Sequence, residues 1–240
     1  MDFKIELKKL IEKIETKKPI CFVRYGDGET MIMNNQSISL RSQAYSIDKW
    51  HSVGGETKIG NKLKEVLKVN EIEWLFGIPC ECCNLPCKNY LISELDVDIT
   101  QITYANMFVN SNYPYFLDWI KNITEEVVII ANKNGLNNID KFPFKVKEYF
   151  PIEDDCVNYY ENNSEIFTYN LKNKFKKMNN TLFFISAGPL SEVIIQELWS
   201  INKTNRLIDV GSSLDLFIHN KITRPYMEPY SDYYTKKCTF

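Results

Sequence analysis

A chain of 240 residues, 44% hydrophobic and 25% charged, has enough apolar material for one sizeable core, which excludes a disordered or fibrous polymer. Its formal net charge of −2 excludes the broad positive field that carries nucleic-acid or anionic-membrane binding. Any phosphate held here therefore needs local cations, backbone amides or a metal.

In chain order, Phe3, Ile5, Leu7, Leu10, Ile11 and Ile14 recur at helical spacing among charges. That pattern predicts an amphipathic helix, not a signal peptide or membrane span, and the expected location is the cytoplasm. Residues 20–23 form an unbroken apolar run of strand length and deliver Arg24-Tyr25-Gly26-Asp27-Gly28-Glu29. A second helix follows from Ile59, Leu63, Val66 and Leu67, and a second buried strand from residues 74–78.

That strand leads into Cys80-Glu81-Cys82-Cys83-Asn84-Leu85-Pro86-Cys87, which holds four of the seven cysteines. An odd number without a secretory signal reads as reduced thiols, not a disulfide framework. Whether Cys80, Cys82, Cys83 and Cys87 bind zinc is open, because their spacing departs from a pair of zinc knuckles. The favoured reading is thiols around a loop after the strand.

Further helices are expected over residues 113–120, 166–175 and 190–199, and further strands over 127–131, 182–185 and 207–210. Unbroken apolar strands alternating with helices predict an α/β domain, residues 1–240, with a mostly parallel, Rossmann-like central sheet flanked by helices. Glycines and polar residues fall just after the strands, in Gly26-Asp27-Gly28, Asn132-Lys133-Asn134-Gly135, Ser186-Ala187-Gly188-Pro189 and Gly211-Ser212-Ser213. In such sheets ligands bind at the carboxyl ends of the strands, so these loops mark the functional rim.

The first of them has the clearest chemistry. On an extended chain, Asp27 and Glu29 point to one side and converge on one cation, and all-oxygen ligation suits Mn²⁺ or Mg²⁺. The competing reading is a plain turn, with Asp27 bonding its own backbone and Glu29 capping a following helix. Arg24 offers a guanidinium for a phosphate, and Gly26 allows close backbone approach.

Pro189 suits the first turn of a helix, so amides near Ser186 and Gly188 are available to a phosphate. Lys133 and Asn106 are candidate donor contacts. Asp154, Asp155, Asp209 and Asp215 are candidate bases for deprotonating an acceptor hydroxyl, with Asp209 and Asp215 ranked first by their place after the last strand. His51 has no recognisable partner spacing, and His219 is expected to be structural.

The Arg24–Glu29 stretch resembles the Arg-Phe/Tyr-Gly-Asp-Gly-Glu segment of bacterial GT-D fold glycosyltransferases, a family that includes enzymes extending glycans on serine-rich adhesins. Phe184-Ile185-Ser186-Ala187-Gly188-Pro189 is similar to the family's strand and Gly-Pro turn, and Leu207-Ile208-Asp209-Val210-Gly211 to its next strand. The resemblance implies a GT-D type fold in which Asp27 and Glu29 hold a divalent metal against a donor diphosphate. It implies transfer of a hexosyl group from a nucleotide diphosphate sugar, a UDP-sugar, to a glycan or glycoprotein hydroxyl.

Two departures stand out. The family's Glu-Gly and Ser-Arg segment is replaced by Ala131-Asn132-Lys133-Asn134-Gly135, and its Asp-Ile-Gly-His by Asp209-Val210-Gly211-Ser212. Rival readings are a metal-dependent phosphoesterase and a non-catalytic nucleotide- or glycan-binding module.

Overall fold

The computed structural model describes residues 2–39 and 50–240. Its strands are β1 (Ile20–Arg24), β2 (Ser37–Ser39), β3 (His51–Val53), β4 (Trp74–Ile78), β5 (Ile102–Tyr104), β6 (Val127–Asn132), β7 (Val146–Ile152), β8 (Leu182–Ser186) and β9 (Arg206–Asp209). Seven of them form one sheet in the order β5-β4-β1-β9-β8-β6-β7, and every pairing in it is parallel. β2 and β3 pair antiparallel beside it. The helices are α1 (Phe3–Glu15), α2 (Asp27–Met33), α3 (Lys58–Leu67), α4 (Glu81–Glu94), α5 (Tyr113–Lys121), α6 (Cys156–Phe175), α7 (Ser191–Ile201) and α8 (Asp215–Ile218).

All five apolar runs became central strands, because each buries both of its faces. In β1, Cys21 and Val23 enter one core with α3, α6 and α7, whereas Ile20 and Phe22 enter the other with α1 and α5. Successive side chains of a strand point to opposite faces, so a two-sided core needs a run with no polar alternate. Full burial of one such side chain contributes about 1.5–3 kcal/mol.

Local signals explain the helix ends. Asp2 caps α1 by accepting from the Lys4 and Ile5 amides at 3.0 Å, and Phe3, Leu7, Leu10 and Ile14 form its buried stripe. Gly60 lets α3 pass close to α2, since a Cβ there would lie 3.1 Å from the Ile32 carbonyl oxygen.

The sequence reading placed no element at β7, at the sheet edge, whose burial is mixed and which contains Pro151. An edge strand has one unpaired flank and tolerates proline there, so it lacks the continuous apolar signature. The segment around Cys80–Cys87, read as a loop, is the cap and first turns of α4, kinked at Asn84 just before Pro86.

The topology also makes a crevice. The chain after β1 enters α2, whose Ile32 and Met33 pack in the α3 core, whereas the chain after β9 enters residues 211–218, whose Leu214 and Ile218 pack in the opposite core. Two adjacent parallel strands whose outgoing connections part to opposite faces leave an opening above their carboxyl ends.

Candidate functional site

That opening is a cleft of ≈ 540 Å³ whose walls include Arg24, Asp27, Glu29, Trp50, Asn132, Ser186, Gly188, Asp215, His219 and Arg224. The carboxyl ends of four strands contribute to it: Asp27 and Glu29 after β1, Asn132 at the end of β6, Ser186 at the end of β8 with Gly188 after it, and Asp215 after β9.

Asp27, Gly28 and Glu29 are not extended. They are the first three residues of α2, and Glu29 reaches back so that its Oε2 accepts the Gly26 amide at 2.8 Å. Asp27 Oδ1 accepts the Gly28 amide at 3.1 Å. The premise that an extended chain aims both side chains alike is therefore corrected in favour of the competing reading: Gly-Asp-Gly-Glu starts a helix, and the Glu29 carboxylate caps the Gly26 amide. Capping nevertheless leaves both carboxylates on the cleft wall, because helix α2 begins at its lip.

Trp50 shapes this lip. Its indole wedges between two glycine turns, so that a Cβ on Gly28 would sit 2.9 Å from the ring and one on Gly188 3.0 Å from the indole nitrogen. Gly188 also has a φ of +54°, a left-handed conformation that glycine adopts without strain.

Beneath the cleft floor lies a charged knot. Arg24 Nε donates to Asp209 Oδ2 at 3.0 Å, and its Nη1 donates to the Ala105 carbonyl at 2.9 Å. Asp209 Oδ1 also accepts the Gly211 amide at 2.8 Å. With both oxygens engaged, buried Asp209 does not line the cleft; it anchors Arg24 instead of offering a free base, a correction to its ranking as a catalytic candidate. Arg24 is in turn mostly committed to protein partners, so its guanidinium edge organises the floor.

Glu192 is buried on α7 at 1% exposure, and its Oε1 accepts the Arg24 amide at 3.4 Å. Its Oε2 is buried with no hydrogen-bond partner among the described residues. Burial pushes the Glu192 carboxyl well above the usual range, with the charges of Asp209 and Glu29 adding to it. Burial likewise raises Glu29 to about 7, opposed by the Gly26 amide and by Arg24.

Around and directly beneath the cleft, Asp27, Glu29, Asp209 and Asp215 thus stand against Arg24 and Arg224 among the described residues. The local balance is short of positive charge. Oxygen donors at the lip and this deficit suit a hard divalent cation such as Mn²⁺ or Mg²⁺.

Other expected site residues divide. Ser186, Gly188 and Asp215 line the cleft, and Pro189 is buried in the turn that leads into α7. Asp215 accepts from Thr223 Oγ1 at 2.8 Å. Lys133 lies elsewhere, its ammonium 2.6 Å from Glu153 on an exposed flank, while the neighbouring Asn132 faces the cleft. Asn106 is also elsewhere, donating to Cys83 Sγ at 3.3 Å.

Cys87 is separated from the other cysteines of its segment and approaches Thr30 Oγ1 at 2.9 Å. His219, expected to be structural, lines the cleft one helical turn after Asp215. His51 Nδ1 lies 2.8 Å from Asp155 Oδ2.

Sequence reasoning missed Glu192, Trp50 and Arg224. Only Glu192 had a visible signal, as an acid inside the apolar run of α7 directly after Gly-Pro.

No family model matches this chain, and no curated protein does. Solved structures do match. One, described as the domain of unknown function 1792 with a distinct glycosyltransferase fold, aligns with a TM-score of 0.58 and 16% identity over 97% of this chain and 87% of its own. Another, a glycosyltransferase (DUF1792) from Streptococcus sanguinis, aligns with a TM-score of 0.59 and 14% identity over 100% of this chain and 93% of its own. At these identities the likeness is one of fold: the chain has the mostly parallel, helix-flanked architecture of those glycosyltransferase structures. No described helix is long and apolar enough to cross a membrane.

Proposed function

We propose that this chain is a metal-dependent glycosyltransferase that moves a hexosyl group from a nucleotide diphosphate sugar, a UDP-sugar, to a hydroxyl of a glycan or glycoprotein. The observation that carries the proposal is the pair Asp27 and Glu29 at the lip of a cleft opened by the parting of the β1 and β9 connections, in a fold shared with glycosyltransferase structures.

Asp27 and Glu29 would hold Mn²⁺ or Mg²⁺, which supplies charge to a leaving diphosphate. The rest is work for the protein's own groups. Arg24, fixed by Asp209 and Ala105, keeps a positive charge under the cleft floor without needing to reorganise during reaction. Ser186 and the Gly188 backbone form the opposite wall, and Trp50 fills the gap between the two glycine turns, limiting water there.

Asp215 is the carboxylate of the cleft best placed to accept a proton from an acceptor hydroxyl. Its Thr223 partner orients it, and His219 lies beside it on the cleft wall. Arg224 takes the role of phosphate contact that Lys133 does not.

The test incubates the protein with Mn²⁺ and a panel of nucleotide sugars, measuring released nucleoside diphosphate and the mass of glycan acceptors. Metal-stimulated release of the nucleotide with a hexose increment on the acceptor supports the proposal. Phosphate release from simple esters without donor cleavage would assign a phosphoesterase. Nucleotide binding with no donor cleavage would assign a binding module.

A further inference from the structure

Cys80 caps α4, Cys82 and Cys83 lie in its first turn, and the C-terminal arm brings Cys238 to the same point from 155 residues beyond Cys83 in the chain. The four sulfur atoms all lie within 4.8 Å of one another, with Cys80 and Cys82 at 3.3 Å. A tetrahedron of Zn–S bonds of about 2.3 Å has edges of about 3.8 Å, which falls inside that spread. The shortest separation is well beyond a disulfide bond of about 2.05 Å, and all four thiols are free.

We propose that Cys80, Cys82, Cys83 and Cys238 bind one structural zinc ion as a tetrathiolate that clamps the C-terminal arm to the start of α4. The sequence-level grouping with Cys87 was incomplete in one ligand, because the fourth sulfur comes from the far end of the chain.

The surroundings fit thiolates. The Thr239 amide points at Cys82 Sγ from 3.5 Å, and Asn106 Nδ2 lies 3.3 Å from Cys83 Sγ and 4.0 Å from Cys238 Sγ. Donors of this kind orient metal-bound sulfur and offset its charge. Lys88, buried at 6% exposure, stands in the same corner, 3.2 Å from Glu81 and 4.2 Å from the centre of the Phe240 ring.

Backbone contact already runs between arm and helix, the Glu81 amide donating to the Thr239 carbonyl at 3.1 Å. Binding would release the thiol protons to solvent and join the two segments through the ion. Four protein ligands leave no open position, so the ion is structural. Cys82 and Cys83 are exposed, which gives the metal an entry path.

The test uses the full chain purified without chelator. Elemental analysis is expected to find one zinc per chain, X-ray absorption a shell of four sulfurs, and mercurial titration zinc release in step with modification of four thiols. Cys238→Ser is expected to lower bound zinc at least tenfold, whereas Cys87→Ser and the double variant Asp27→Asn, Glu29→Gln retain one per chain.

The wild-type measurements stand even if Cys238→Ser fails to fold. Absence of zinc, disulfides among these four cysteines, an oxygen-rich ligand shell, or iron in place of zinc would overturn the proposal.

Discussion

The β1–β9 strand pair has an arginine at each end, and the two are treated differently. At the amino end, fully buried Arg206 meets Glu125 through two parallel contacts of 2.6 Å and also donates to the Ile14 and Asn180 carbonyls at 3.1 Å. The Glu125 carboxyl is held below its usual range, chiefly by its hydrogen bond to Arg206. At the carboxyl end, Arg24 is satisfied by Asp209 and Ala105, but Glu29 and Glu192 remain close by with raised carboxyls.

The charges of the Arg206–Glu125 pair are matched, although Arg206 Nε is buried without a hydrogen-bond partner among the described residues. An excess of carboxylates is tolerated in a buried setting only with protonation or a cation, which is in keeping with the ligand site proposed at this end.

Substitutions can break or sharpen this contrast. Glu125→Ala leaves a buried guanidinium without its counter-charge, and urea unfolding should show a loss of about 3–5 kcal/mol. Donor turnover per folded molecule should stay near wild type, since the lesion lies at the opposite end of the sheet.

The double variant Asp27→Asn, Glu29→Gln should do the reverse. Its metal-stimulated kcat/KM should fall by about 10²–10³, the scale of losing a fixed electrostatic contact at a reacting centre. Its Tm should hold or rise as local repulsion is relieved. Wild-type turnover from this variant would remove the proposed function.

The two ends should also respond oppositely to pH. Glu29 has its folded value raised from 4.5 to about 7, so the folded state binds the extra proton between those limits. Its contribution therefore favours folding at low pH and fades as pH rises through about 7. Glu125, lowered by Arg206, contributes stability above its unfolded value that is lost on acidification.

Measured without divalent metal, the stability of wild type minus that of Glu29→Gln should fall from pH 5 to pH 8, and the same difference for Glu125→Gln should rise as pH increases from 3 to 5. Equal slopes would erase the contrast. The smallest effect is at the cleft wall: Gly188→Ala forces a side chain into a φ of +54° and against Trp50, costing about 1–2 kcal/mol by thermal unfolding.

The five central strands and the glycine-bearing loops after them were readable from sequence because burial on both faces leaves a continuous apolar run. The edge strand β7 was not, since its unpaired flank tolerates Lys147, Glu148 and Pro151. Asp27 and Glu29 were readable as a pair, but the choice between an extended segment and a helix capped by Glu29 was not, because Gly26 and Gly28 permit either backbone; the structure has the helix.

Sequence alone therefore determined the alternation of strand and helix, the parallel sheet and the acidic pair after its first strand, all consequences of burial and chain geometry acting over a few residues. Tertiary structure alone decided that Asp209 is tied to Arg24 across 185 residues, that one oxygen of Glu192 is buried without a partner beside them, and that Cys238 meets Cys80, Cys82 and Cys83 while Cys87 lies apart. Such partnerships form where separate chain segments meet, and no local periodicity encodes a meeting at that distance.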